Sequence, residues 1–176
     1  MTDTSDEILV EKAKQGDSEA FAALVEKYYL SIYRFSFKWC GNRADAEDTT
    51  QDVCIKIGKS IAGFDGKAEF SSWVFRITLN TVRDLARKKS RLEQNLYSFA
   101  QSSETDYNPD PVRELTQQQL WQKVLELPDK QRDAIMLVYS EGLNHRHAAE
   151  VLGCSEKTVS WHVHEAKKTL KLLIGS

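Results

Sequence analysis

Apolar positions recur along this chain at three- and four-residue steps, with few glycines and prolines between them. That spacing is the mark of amphipathic helices rather than strands. A first helix is expected over about residues 6–15, broken at Gly16. Asp17 is placed to cap a second helix that carries Phe21, Leu24, Tyr28 and Ile32 inward and ends at Gly41-Asn42. The next, about residues 43–61, turns Ala46, Val53, Ile57 and Ile61 toward a core. A loop around Gly63, Phe64 and Gly66 follows. A fourth helix, about residues 70–89, is expected to bury Phe70, Val74, Ile77, Thr81 and Leu85.

Beyond residue 91 the periodicity fails. Residues 92–114 include the polar, acidic, proline-bearing stretch QSSETDYNPDP, which reads as a flexible, solvated linker. Helical pattern returns over residues 112–127, and after Pro128 over residues 129–141, where Gly142 ends it. Asn144 can cap a short helix to Leu152. Gly153 turns the chain, and Ser155 can cap a last helix that faces inward with Val159, Val163, Ala166, Leu170 and Leu173. Two short helices joined by a glycine-containing turn make a helix-turn-helix. The fold class is all-α, with two small helical domains, residues 1–91 and 115–176, joined by the linker of residues 92–114.

Net charge is -2, so bulk attraction to nucleic acid is not expected, but the charge is unevenly spread. From Phe70 to Arg91 there are six basic residues against the single acid Asp84. No apolar run approaches the length of a membrane span and the first residues lack a signal-peptide pattern, so no membrane insertion and a cytoplasmic location are expected. The three cysteines, Cys40, Cys54 and Cys154, form no CxxC pair and read as reduced, mostly buried thiols.

Three constellations carry candidate chemistry. Asp45, Asp48 and Asp52 share one face of the third helix with Gln51 beside them, forming either a solvated face or a docking surface for a basic partner. Arg76, Asn80, Arg83 and Arg87 follow one another at steps of four, three and four along the fourth helix. Such a stripe can track phosphates, and Trp73, one turn earlier, belongs either to the core or to a stack with unpaired bases. In the last helix Glu156, Lys157, Ser160, Trp161 and His164 point outward, where they can reach major-groove edges, and Thr158 near the helix start can bond a phosphate. The four histidines fall as two HxH pairs, His145 with His147 and His162 with His164. Residues two apart on a helix do not share a face, so no metal site is assigned. No nucleotide-binding, zinc-protease or nucleophile motif occurs, so neither an enzyme nor a cofactor is expected.

Taken in order, DAEDTTQDV at residues 45–53, FSSWVFRITLNTVRDLARKKSR at 70–91 and the segment from Leu127 through Leu170 resemble the sigma-70 family, and specifically its extracytoplasmic-function (ECF) group. The resemblance covers nearly the whole chain. It implies that Asp45, Asp48, Gln51 and Asp52 dock on the clamp helices of the largest subunit of RNA polymerase, with a further contact at the polymerase flap. Phe64, Lys67, Trp73, Arg76, Asn80, Arg83, Arg87 and Lys88 would hold the melted minus-ten strand. Ser155, Glu156, Lys157, Thr158, Ser160, Trp161, His162 and His164 would read the minus-thirty-five element as duplex. It also implies control by an anti-sigma factor. Ser160, Trp161 and His162 stand where the family often carries a basic residue, a serine and an arginine, which implies an atypical promoter element. Two rival readings are a stand-alone helix-turn-helix regulator and a sigma mimic that serves as decoy for an anti-sigma factor.

Overall fold

The Asp17 carboxylate accepts from the backbone N–H groups of Glu19 at 3.0 Å and Ala20 at 3.1 Å, dividing the first two helices where the sequence predicts. In the computed structural model, which describes residues 4–97 and 117–175, α1 covers Thr4–Lys14 and α2 Ser18–Cys40. Gly41 ends α2 at φ 76°, a left-handed conformation open to a residue without Cβ. Asn42 then caps α3 (Arg43–Ser60), accepting from the Asp45 N–H at 2.9 Å. A single 3-10 turn, Ile61–Gly63, leads into the loop before α4 (Phe70–Tyr97).

These helices close around Leu24, Ile32, Val53, Ile57, Ile61, Phe70 and Val74. A carboxylate is sealed into this domain: Asp6 is almost wholly buried and accepts from Tyr28 Oη and Lys27 Nζ, each at 2.6 Å. A carboxylate loses its hydration on burial and must be paired, so Asp6 fixes how α1 lies on α2.

α4 runs past the expected end at Lys89, through residues first read as linker. Residues 91–96 contain no glycine or proline and several good helix formers. All their side chains are exposed, and a helix with no buried face has no apolar period to read. The remainder of the expected linker, and the start of the helix expected from residue 112, lie outside the described residues.

In the second domain α5 (Gln117–Leu125) and α6 (Asp129–Ile135) flank Pro128, and α6 passes into a π turn at Met136–Ser140 rather than continuing as α-helix to Glu141. Asn144 caps α7 (His145–Leu152) through the His147 N–H at 2.9 Å. Gly153 makes the turn, and Ser155 caps α8 (Glu156–Ile174) through the Thr158 N–H at 3.1 Å. Val159, Val163 and Ala166 are buried as expected, with Leu170 and Leu173 half-buried.

Burial along α4 takes a form the sequence reading did not anticipate. Phe70, Val74 and Thr81 are buried as expected, whereas Ile77 and Leu85 are half-exposed. A second stripe, Phe75, Leu79 and Val82, is also buried. It joins Phe35 and the apolar side of the C-terminal domain, including Val124, Leu127, Ile135, Leu137 and Val163, in one continuous cluster. α4 therefore lies between the two domains and serves both.

Candidate nucleic-acid interface

α3 and α4 enclose an open groove. Asp48, Gln51, Asp52 and Ile55 line one wall, and Asp84, Leu85, Arg87, Lys88 and Arg91 the other. Asp48, Gln51 and Asp52 are exposed, so the acidic stripe reaches solvent where the helical period puts it. Asp45 differs. Its carboxylate takes a hydrogen bond from Asn42 Nδ2 at 2.6 Å and pairs with Lys89 of α4. Those two donors hold its acidity stronger than an ordinary aspartate's. Asp45 thus ties α3 to α4, and the free acidic face is Asp48, Gln51 and Asp52. Arg87 and Lys88 face that groove and not the end of the stripe nearer Trp73.

Aromatic rings gather at the start of α4. Phe64 lies 5.2 Å from Trp73 and 5.5 Å from Phe70, Phe70 lies 5.5 Å from Trp73, and Tyr28 closes the group at 5.5 Å from Phe70. Phe70 is core, while Phe64 and Trp73 are half-buried. Trp73 therefore packs against these two rings and remains partly accessible to solvent. Beside the rings, the loop of residues 64–69 forms one side of a recess. Glu7, Val10, Glu11 and Lys14 of α1 form another, and Arg146 and Glu150 of α7 complete it. The Asp65 carboxylate accepts from the Lys67 N–H at 3.1 Å and shapes this loop, leaving Lys67 exposed at its tip.

The basic stripe is present, but its arginines are engaged. Arg83 donates from Nε and Nη2 to Asp133 of α6, and Arg76 donates to the Glu150 carbonyl of α7. Asn80 is exposed. Arg87 makes only a 3.4 Å contact with Asp84 and stays largely in solvent. Asp133, Trp39, Arg132, Arg146 and Glu150 were not singled out from sequence. The only local signal for this contact was the second apolar stripe at Phe75, Leu79 and Val82, which the expected face of α4 overshadowed.

On α8, Glu156, Lys157, Ser160, Trp161 and His164 are exposed, Trp161 by 57%. Its ring meets that of His162 edge-on at 4.9 Å between centroids and otherwise lies open to solvent. The His145 ring Nδ1 lies 2.7 Å from Ser160 Oγ and brings the N-terminus of α7 beside this face. Ser155 and Thr158 spend their hydroxyls on each other at 2.9 Å within the cap. His162 turns inward: it is half-buried beside the Val163 stripe, and burial with the nearby Lys130 charge lowers its pKa. The other HxH pair divides as well, with His147 Nε2 meeting Glu69 Oε1 at 3.0 Å across the domain boundary. The cysteines are half-buried and unpaired, and burial raises the pKa of each thiol.

Comparison with known proteins follows the same division of the chain. Residues 24–92 match Sigma-70 region 2 and residues 117–170 match Sigma-70, region 4. The chain is 31% identical over 173 residues to the ECF RNA polymerase sigma factor SigW of Bacillus subtilis, covering 92% of each. It is 30% identical to the RNA polymerase sigma factor NccH of Alcaligenes xylosoxydans xylosoxydans, over all of this chain and 98% of that one. Among solved structures, CnrH in complex with the cytosolic domain of CnrY superposes with a TM-score of 0.74 at 26% identity, over 97% of both chains.

Proposed function

The chain belongs to the sigma-70 family of RNA polymerase sigma factors, in its ECF group, and from that membership we propose how its surfaces divide the work of transcription initiation. It binds core RNA polymerase, directs it to specific promoters and promotes opening of the DNA there. It works in the cytoplasm and catalyses no reaction of its own. No helix among the described residues is long and apolar enough to cross a membrane.

Asp48, Gln51 and Asp52 dock on the clamp helices of the largest polymerase subunit, while Asp45 positions that face through Lys89. The exposed carboxylates on a well-capped helix support this, since a basic partner helix finds them already aligned. Opening the minus-ten element needs no hydrolysis. Unstacking a base costs a few kcal/mol, and capture of the displaced base against Phe64, Trp73 and the loop of residues 64–69 offsets that loss. Arg76, Asn80 and Arg83 hold the strand's phosphates, with Arg87 and Lys88 at the groove end. Glu156, Lys157, Ser160, Trp161 and His164 of α8 enter the major groove of the minus-thirty-five element, with a further contact from the C-terminal domain to the polymerase flap. The chain is held inactive by an anti-sigma factor, a reading supported by its likeness to CnrH, whose structure is that of a complex with the cytosolic domain of CnrY.

The observation that carries this reading is that α4 brings an aromatic platform and a basic stripe together beside an exposed acidic face on α3. A stand-alone helix-turn-helix regulator needs none of these three. The test is in vitro transcription with purified core polymerase on genomic promoter fragments, comparing wild type with Asp48→Arg/Asp52→Arg and Trp73→Ala/Arg76→Ala. Defined start sites for wild type, loss of polymerase binding in the first variant and loss of opening alone in the second are expected. Binding to duplex DNA without any engagement of core polymerase would instead favour the stand-alone regulator.

A further inference from the structure

We infer that the packing of the two domains is an autoinhibitory state, in which Asp133 occupies the Arg83 guanidinium that a strand phosphate would otherwise take. The inference rests on the reading of α4 as the strand-binding helix and names how that site is masked within the chain itself.

Asp133 is fully buried. One oxygen accepts from Arg83 through Nε at 3.1 Å and through Nη2. The other lies 3.4 Å from Trp39 Nε1 and 3.5 Å from Arg132 Nε. Arg132 in turn stacks over the Trp39 ring at 4.3 Å. Further along α4 Arg76 is held by the Glu150 carbonyl. Beyond it Glu69 meets Arg146 at 3.5 Å and His147 at 3.0 Å, so α7 stands against the loop of residues 64–69 that takes the displaced base. At the other edge of the contact Lys38 donates to Ser140 Oγ at 2.8 Å, and that hydroxyl donates to Glu141 at 2.7 Å. Lys38 also lies 4.8 Å from the Trp121 ring centroid.

Two of these contacts, those of Arg83 and Arg76, spend a group that the open promoter needs. A carboxylate offers a guanidinium the same in-plane acceptor geometry as a phosphate, so Asp133 and DNA compete for Arg83 directly. The ion pair is not the main attraction, because opening returns both charges to water. Burial of Phe75, Leu79 and Val82 against the C-terminal domain supplies that, and the polar pairs set the register in which the masked groups are the DNA-binding ones. Strand binding and closure are then mutually exclusive, and any partner that separates the domains raises the population able to hold DNA.

The test uses the full chain, small-angle X-ray scattering for its radius, and anisotropy of a labelled oligothymidylate of about twelve nucleotides, whose phosphates are read without regard to sequence. Wild type is expected to be compact and to bind weakly. Asp133→Ala and Lys38→Glu should expand the chain and tighten strand binding about tenfold, as for a protein whose open state is about a tenth populated. Lys38→Glu combined with Glu141→Lys should restore the compact, weakly binding state. Unchanged radius and affinity in a helical Lys38→Glu protein overturns the inference, and so does expansion without any gain in strand binding. If Asp133→Ala loses its helical signal, Lys38→Glu decides alone. Assembly with core polymerase, measured on the same proteins, judges the sigma reading separately: its absence throughout counts against that reading, while the radius still judges closure.

Discussion

The ring of Phe21 on α2 fills the space in front of Gly58 on α3, where a Cβ would stand 3.1 Å from the ring's Cζ. The glycine has ordinary helical geometry and is there to admit the ring, not to relieve the backbone. Gly58→Leu should therefore destabilise the N-terminal domain by about 1–3 kcal/mol, the usual range for forced overpacking. Gly58→Leu/Phe21→Ala should recover most of the loss. Urea unfolding followed by circular dichroism measures both, and a neutral Gly58→Leu would show that the ring moves freely.

Asp6 makes a separate prediction. Its carboxylate accepts from Tyr28 and Lys27 while almost wholly buried. Asp6→Ala leaves the phenol hydroxyl without that acceptor and should cost about 1–3 kcal/mol. Hydrogen exchange should show the loss concentrated in α1, with α3 protected as before.

Acid and base titrations should act in opposite directions at Glu141 and His162. Burial raises the Glu141 pKa in spite of the Ser140 hydrogen bond and the Lys38 and Arg34 charges. The folded chain thus holds that proton more tightly than the unfolded chain. Its stabilising contribution is complete below the ordinary glutamate value of about 4.3 and is lost as pH rises through the raised value. Glu141→Gln should gain in melting temperature over wild type as pH increases. His162 is depressed, chiefly by burial, so its contribution is present above about pH 6.5 and is lost as pH falls through the lowered value. His162→Gln should flatten that acid limb in a series of melting curves.

Trp161 stands largely in solvent on α8. Trp161→Ala should leave the melting temperature within experimental error. Holoenzyme affinity for a promoter duplex carrying the minus-thirty-five element should fall by about 1–3 kcal/mol, the range for losing an aromatic anchor. Equal affinity for wild type and variant would remove Trp161 from the DNA interface.

The sequence by itself determined the helices apart from the far end of α4 and the π turn after α6, the caps at Asp17, Asn144 and Ser155, the turn at Gly153 and the exposure of Asp48, Asp52 and Trp161. Each of these is set within a few residues, by helical period or by a side chain reaching its own backbone, so one chain segment contains the whole cause. Tertiary structure alone decided which partners the arginines of α4 meet. Arg83 and Asp133 lie fifty positions apart, and nothing near either one names the other. The same holds for Phe75, Leu79 and Val82, whose spacing shows a second apolar stripe but not what covers it. It holds too for Asp45, taken from the acidic face by Lys89, and for His162, turned inward by the packing of α6 against α8. Helical period reports which side of a helix avoids water. Which other side it meets depends on pairings that arise only when the whole chain has folded.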